Sequence, residues 1–167
     1  VSSSTNLVLP DTNQLGSFDL FVHDRDPNEN GDYTDTLGDT RRIGLTSSEA
    51  QIFLGVNVER PGVSSDGRFV VFSTPDNAVD PADTNSSSDV YLRDRDPDMD
   101  GDFDEPNALT RLISLDLAGD AAGGSVNPDI SGDARFVAYA TEADDVTPGD
   151  DNGAFDVVLA DRDPDRN

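Results

Sequence analysis

The chain has 167 residues with 35 acidic and 11 basic side chains, a net charge of −24, so phosphate backbones and anionic membrane surfaces repel it and cations are its natural partners. It holds no Cys, which excludes disulfides, zinc–thiolate sites and cysteine nucleophiles, and no apolar run approaches the ~20 residues of a membrane-spanning helix. Hydrophobic residues make up only 34%, so a core has to be thin and layered, built from short clusters such as Arg68-Phe69-Val70-Val71-Phe72.

Val1-Ser2-Ser3 reads as the end of a strand, followed by the polar turn Asp11-Thr12-Asn13 and a strand over Phe18–Asp24. An acidic loop begins at Asp26, and Thr40-Arg41-Arg42-Ile43-Gly44-Leu45 reads as the next strand. The same order then returns in full. A strand near Arg60–Ser64 is followed by the turn Ser65-Asp66-Gly67, because Asp-Gly favours a tight hairpin. Further strands are predicted over Arg68–Ser73, Asp89–Asp94 and Leu109–Leu115, rich in β-branched and aromatic residues. The polar turn returns as Asp83-Thr84-Asn85. In the last part, Arg135-Phe136-Val137-Ala138-Tyr139 matches Arg68–Phe72, and Asp150-Asp151-Asn152 matches the polar turn. Phe155–Pro164 matches both Phe18–Pro27 and Ser88–Pro97. The Asp-Pro pairs that close these segments are 70 and then 67 residues apart. Nothing in the chain shows a sustained 3.6-residue period with helix caps.

Self-similarity at this period is the mark of a repeat architecture, and four short antiparallel strands per repeat is the arithmetic of a propeller blade. The run Ser64-Ser65-Asp66-Gly67-Arg68-Phe69-Val70-Val71-Phe72, followed by Asp83-Thr84-Asn85 and Asp89-Val90-Tyr91-Leu92-Arg93-Asp94, resembles the TolB-type β-propeller repeat. The resemblance implies an all-β fold of tandem four-stranded, propeller-blade-like repeats. It divides the chain into a partial repeat over 1–57, a complete one over 58–126 and a partial one over 127–167, within one continuous domain. It implies little about activity, since such propellers serve as binding platforms, enzyme domains and surface proteins. One departure from a plain repeat is the long acidic insertion between the third and fourth strands.

That insertion, Asp96-Pro97-Asp98-Met99-Asp100-Gly101-Asp102-Phe103-Asp104-Glu105, fits the opening D-x-[DN]-x-[DN]-G of an EF-hand-type calcium loop. Calcium takes six to eight hard oxygen ligands. Carboxylates at alternate positions of a curling loop supply them, Gly101 permits the sharp turn, and position 102 offers a carbonyl. The expected ligands are Asp96, Asp98, Asp100, Asp102, Asp104 and Glu105. The first repeat carries the same pattern with Asp26, Asn28, Asn30, Asp32 and Asp35, and the third begins it with Asp163, Asp165 and Asn167. The twelfth loop position is Asn107 or Leu37 rather than Glu, so Glu105 and Asp35 are the expected substitutes for the bidentate ligand. The flanks are strands, so no calmodulin-like opening is implied. Asp83, Asn85 and Asp89, repeated as Asp150, Asn152 and Asp156, fit either a second metal site or side chains that bond their own turn backbone. The acid excess fits these metal loops better than a general salt-adapted surface, which has no reason to space its Asp residues regularly.

Catalysis finds no foothold. The one His, His23, is matched by Arg93 and Ala160 in the other repeats, there is no Lys, and no glycine-rich loop precedes a helix. A nucleophile needs a base or a lowered pKa, and the carboxylates are already explained as metal ligands. In the triplets Asp24-Arg25-Asp26, Asp94-Arg95-Asp96 and Asp161-Arg162-Asp163, the Arg is expected to pair with a neighbouring strand's carboxylate. About two and a third repeats are too few for a ring of four to eight blades. The chain is therefore expected to be part of a longer protein, to share a ring with other copies, or to join copies through open sheet edges. The sequence thus points to an extracellular or cell-surface calcium-binding structural module that assembles with further copies of itself. The alternative is a propeller segment of a larger surface protein that binds a glycan or a protein.

Overall fold

The computed structural model describes residues 2–3, 18–27, 30–34, 38–53, 60–103, 106–163 and 165. The described residues are all-β, with no helix. Ten strands follow in chain order: β1 (Ser2–Ser3), β2 (Asp19–Asp24), β3 (Asp39–Arg42), β4 (Gly62–Val63), β5 (Phe69–Thr74), β6 (Asp89–Asp94), β7 (Leu109–Leu112), β8 (Val126–Ile130), β9 (Phe136–Thr141) and β10 (Asp156–Asp161). They form three antiparallel sheets in the orders β1-β2-β3, β4-β5-β6-β7 and β10-β9-β8. Among the described residues the sheets do not close into a barrel or a ring.

The middle sheet carries the architecture. β5 and β6 pair along their full lengths, from Phe69↔Asp94 to Thr74↔Asp89. Side chains alternate between faces along a strand, and here both faces are apolar. Val70, Phe72, Tyr91 and Leu112 pack with Leu20, Ile43, Ile52 and Val79, with Val22 against them. Val71, Val90 and Leu92 pack with Ile130, Ala134, Val137 and Tyr139. The first sheet therefore covers one face and the third sheet the other. A strand buried on both faces reads as a continuous apolar run, which is why Asp89-Val90-Tyr91-Leu92-Arg93 is buried at every residue.

Three strands, β3, β4 and β7, end short of the sequence prediction. β4 is limited to Gly62–Val63, because Pro61 has no N–H to extend the ladder. The hairpin beyond it turns at Gly67, where φ is +77° and the N–H donates to the Ser64 carbonyl at 3.0 Å. β7 ends at Leu112 because the N–H groups of Ile113 and Ser114 both reach the Val90 carbonyl, at 2.8 and 3.4 Å. Two donors on one acceptor break the alternating ladder. The first sheet does the same thing at Ile43 and Gly44, which share the Leu20 carbonyl at 2.8 and 3.2 Å.

The strand ends are pinned by arginines. Arg68 on the turn into β5 makes a two-pronged pair with Asp94 at the end of β6, with Nε and Nη2 both 2.7 Å from the carboxylate. Arg135 and Asp161 repeat it between β9 and β10, at 2.9 and 2.7 Å. Such bidentate pairs add geometry as well as energy. In two of the Asp-Arg-Asp triplets it is the first Asp, Asp94 or Asp161, that is paired this way. Among the described residues, the Arg of two triplets makes no carboxylate pair. Arg25 donates to the Tyr33 carbonyl at 3.0 Å and lies over the Tyr33 ring. Arg162 donates to the Ala134 carbonyl and lies over Phe69. A planar guanidinium satisfies itself with a carbonyl and an aromatic face where no carboxylate stands across from it.

Candidate metal centre

The loop from β6 to β7 holds a ready set of oxygens. Asp96, Asp98 and Asp100 each place a carboxylate oxygen within 4.8 Å of the others. Asp96 is buried, at 5% exposure, while Asp98 and Asp100 are exposed. The local chain builds this. Asp96 accepts the N–H of Asp100 on Oδ1 at 3.0 Å and the N–H of Gly101 on Oδ2 at 3.2 Å, so the loop curls around its first carboxylate. Gly101 takes φ +92° to make the turn, a conformation that favours glycine. Asp100 Oδ1 in turn accepts the Asp102 N–H at 2.9 Å. At the base, the Asp96 N–H donates to Asp94 Oδ1 at 3.1 Å, which ties the loop to the Arg68–Asp94 clamp.

The loop from β2 to β3 follows the same plan. Asp26 accepts the N–H of Asn30 at 2.9 Å and of Gly31 at 2.7 Å, and Asn30 Oδ1 accepts the Asp32 N–H at 2.7 Å. Gly31 takes φ +79°. Asp26, Asn30 and Asp32 are therefore on one curled loop, although Asn30 replaces one carboxylate. Asn28 and Asp35 lie outside the described residues, as do Asp104, Glu105 and Asn167. In the third loop, the Asp163 N–H donates to Asp161 Oδ1 at 3.0 Å, the counterpart of the Asp96 to Asp94 bond; Asp163 and Asp165 are exposed. Asp102 is exposed and outside the three-carboxylate group.

The three carboxylates suit a hard cation. The donors are oxygens, and alternating positions leave room for water and backbone carbonyls in the shell. Without a cation they crowd negative charge into one turn. Asn107 was noted in the sequence only as an unsuitable twelfth ligand, yet its Nδ2 donates to Asp98 Oδ2 at 3.0 Å and so positions that carboxylate. Phe103 has a role that the sequence reading does not assign to it, as the partner of Arg95. Arg95 reaches the Gly67 carbonyl at 2.8 Å and lies over the Phe103 ring, so it braces the loop against the β4–β5 turn.

A cleft of about 790 Å³ opens between the two loops, lined by Asp24, Pro27, Asp100, Asp102, Phe103 and Arg95 among others. The turn at its edge holds Asp66, which burial alone would raise. Hydrogen bonds from the Ser64 hydroxyl and the Arg68 backbone outweigh that and hold it below the usual carboxylate range.

The polar turn residues bond their own turn backbone and a neighbouring hydroxyl. Asp83 accepts the Asn85 N–H at 3.1 Å and the Tyr91 hydroxyl. Asn85 accepts the Ser87 N–H at 2.7 Å and donates to the Ala121 carbonyl at 3.2 Å. Burial, together with its acidic neighbours, pushes the Tyr91 hydroxyl far up, so it stays protonated as a donor. In the third sheet Asn152 accepts the Ala154 N–H at 2.7 Å and lies 3.4 Å from Asp156.

Fold and site together define an all-β protein with an acidic loop able to hold a metal ion. Compared with family models, curated proteins and solved structures, the chain matches none. The likeness to TolB-type repeats therefore rests on the residues quoted above.

Proposed function

We propose that the chain is a non-catalytic, extracellular calcium-binding β-repeat protein that serves as a structural and assembly module. The observation that carries this reading is the convergence of Asp96, Asp98 and Asp100 on a loop whose own N–H groups preset the first carboxylate. Oxygen-only donors favour calcium over softer-ligand metals. Millimolar calcium outside cells matches the affinity of extracellular modules. The site sits where β6 and β7 join, and β6 is the strand buried on both faces, so a cation there stiffens the centre of the molecule. The antiparallel order β4-β5-β6-β7 supports a propeller-blade reading of the middle sheet. The exposed apolar residues Phe155, Val157 and Leu159 on and beside β10 support the assembly part. His23 lies on the surface with its ring bonded to Thr40, a setting that supports no catalytic role.

Calcium that binds only the folded state adds about 2.7 kcal/mol at a hundredfold excess over Kd. Melting with calcium and with a chelator, at matched ionic strength, tests this. Calcium should raise Tm, magnesium should substitute only in part because it demands a tighter octahedral shell, and Asp96→Asn with Asp100→Asn should abolish the calcium effect. Equal melting with calcium and chelator would sink the reading.

The cleft between the two loops favours a second reading, a binding module for a glycan or a protein segment of a larger surface protein. Glycan-array binding that disappears with Phe103→Ala would favour it over the first.

A further inference from the structure

Asp89 and Asp19 hold the same place, as the first residues of β6 and β2. Their surroundings correspond backbone group by backbone group. Ile43 and Gly44 share the Leu20 carbonyl as Ile113 and Ser114 share that of Val90. The isolated bridge Leu45↔Gln51 has its counterpart in Leu115↔Ala121. Both carboxylates are buried, Asp19 at 3% exposure and Asp89 at 0%.

The partners differ. Asp19 receives the Gln51 side-chain amide at 2.8 Å and has the Arg42 guanidinium 3.8 Å away. At the corresponding positions the middle sheet has Leu112 and Ala121, which supply neither donor nor charge. Asp89 receives the Ser114 hydroxyl, at 2.7 Å on Oδ1, and the Asn85 side chain stands near enough to lower its pKa. Its Oδ2 is buried without a hydrogen-bond partner. Close by lies a second buried carboxylate, Asp83 at 5% exposure, and no Arg pairs with either among the described residues. Asn85 is also adjacent, although its amide donates to Ala121. Two buried carboxylates with no counter-charge are expensive, and such groups are normally paired, metal-bound or neutralised by a proton.

We propose that a metal cation sits beside Asp89, in the role that the Arg42 guanidinium fills beside Asp19, held by Asp89 Oδ2 with an oxygen of Asp83. This is a second cation site, separate from the Asp96 loop and independent of the function proposed for it. The donors are again hard oxygens, so calcium is the fitting probe. The rival is a proton. Burial and the charge of Asp83 raise the Asp89 pKa, against the hydrogen bonds from Ser114 and Asn85. Asparagine separates the two, because it mimics a protonated carboxyl and cannot neutralise a cation.

The test is calcium stoichiometry by equilibrium dialysis in the full chain carrying Asp96→Asn and Asp100→Asn, which silences the loop. Adding Asp89→Asn should remove one further equivalent of bound calcium. A second variant, Leu112→Arg with Ala121→Gln, rebuilds the first-sheet arrangement. It should fold, lose the same equivalent and keep its Tm when calcium is withdrawn. This variant decides the matter if Asp89→Asn does not fold. Unchanged stoichiometry in both variants, or an Asp89→Asn chain as stable in calcium as its parent with equal binding, overturns the proposal in favour of the proton. Should the loop substitutions leave binding untouched, the loop reading fails while the Asp89 comparison still stands or falls on its own count.

Discussion

Val90 and Leu92 on β6 and Val157 and Leu159 on β10 stand at matching places in their strands, each pair ahead of an Asp clamped by an Arg just before the adjoining strand. Val90 and Leu92 are 0% and 2% exposed, against the third sheet. Val157 and Leu159 are 82% and 64% exposed, on a strand that pairs only with β9 among the described residues. The opposite face of β10 is ordinary, with Val158 and Ala160 packed against the core shared with the middle sheet. The same residue pattern thus specifies which side chains share a face, but not whether another layer covers that face. Burial is a property of the neighbour.

The comparison is sharpened most by cutting both strands at the same place. Leu92→Ala should cost about 2–5 kcal/mol, the range for a leucine removed from a packed core. Leu159→Ala should stay within about 0.5 kcal/mol, as for a surface change. Urea unfolding of both variants checks this. Comparable losses would mean that β10 is covered in solution, and the contrast would be broken.

A smaller difference is expected at the clamps. Arg68→Ala removes a partly exposed bidentate pair and should cost about 1 kcal/mol or less. Arg135→Ala should cost less again, because that pair is the more exposed of the two. The Arg pairs also hold Asp161 below the usual carboxylate range, chiefly through the Arg135 hydrogen bond. That contribution is present above the unfolded Asp value and is lost as the pH falls through the lower folded one.

The smallest expected effect is in pH and has the opposite sign. Burial raises the Asp89 pKa, so in chelator the folded state favours the protonated form. Stability from this group is present below the ordinary Asp value, about 3.9, and is lost as the pH rises through the folded pKa. Wild type in chelator should therefore trail Asp89→Asn near pH 7 and close the gap as the pH falls toward 4. Melting curves of the two chains across that range measure it. A constant gap would show that Asp89 does not titrate there.

Much of this was written in local sequence. Short runs of β-branched and aromatic residues, recurring in the repeat, placed β5, β6, β9 and β10 within a residue or so, because strand preference is a local property of the chain. The acidic loop was legible for the same reason. Side chains at alternate positions of D-x-D-x-D-G converge when the glycine turns the chain, and all of them lie within a few residues. The early end of β7 was not legible, since two N–H groups share a carbonyl on a different strand. Nor was the partner of each triplet Arg, because Tyr33, Gly67 and Ala134 reach those guanidiniums only through the turns and strand pairing.

By itself, then, the sequence indicated most of the strands and the oxygen-rich loops, both set by interactions within a few residues of chain. Only the tertiary structure decided that β6 is enclosed on both faces while β10 bares one, and that Asp19 meets Arg42 where Asp89 meets the Ser114 hydroxyl. Those outcomes depend on which sheet lies against which and on residues brought together from more than twenty positions apart. No local pattern encodes the charge or apolar surface that a neighbouring strand will present.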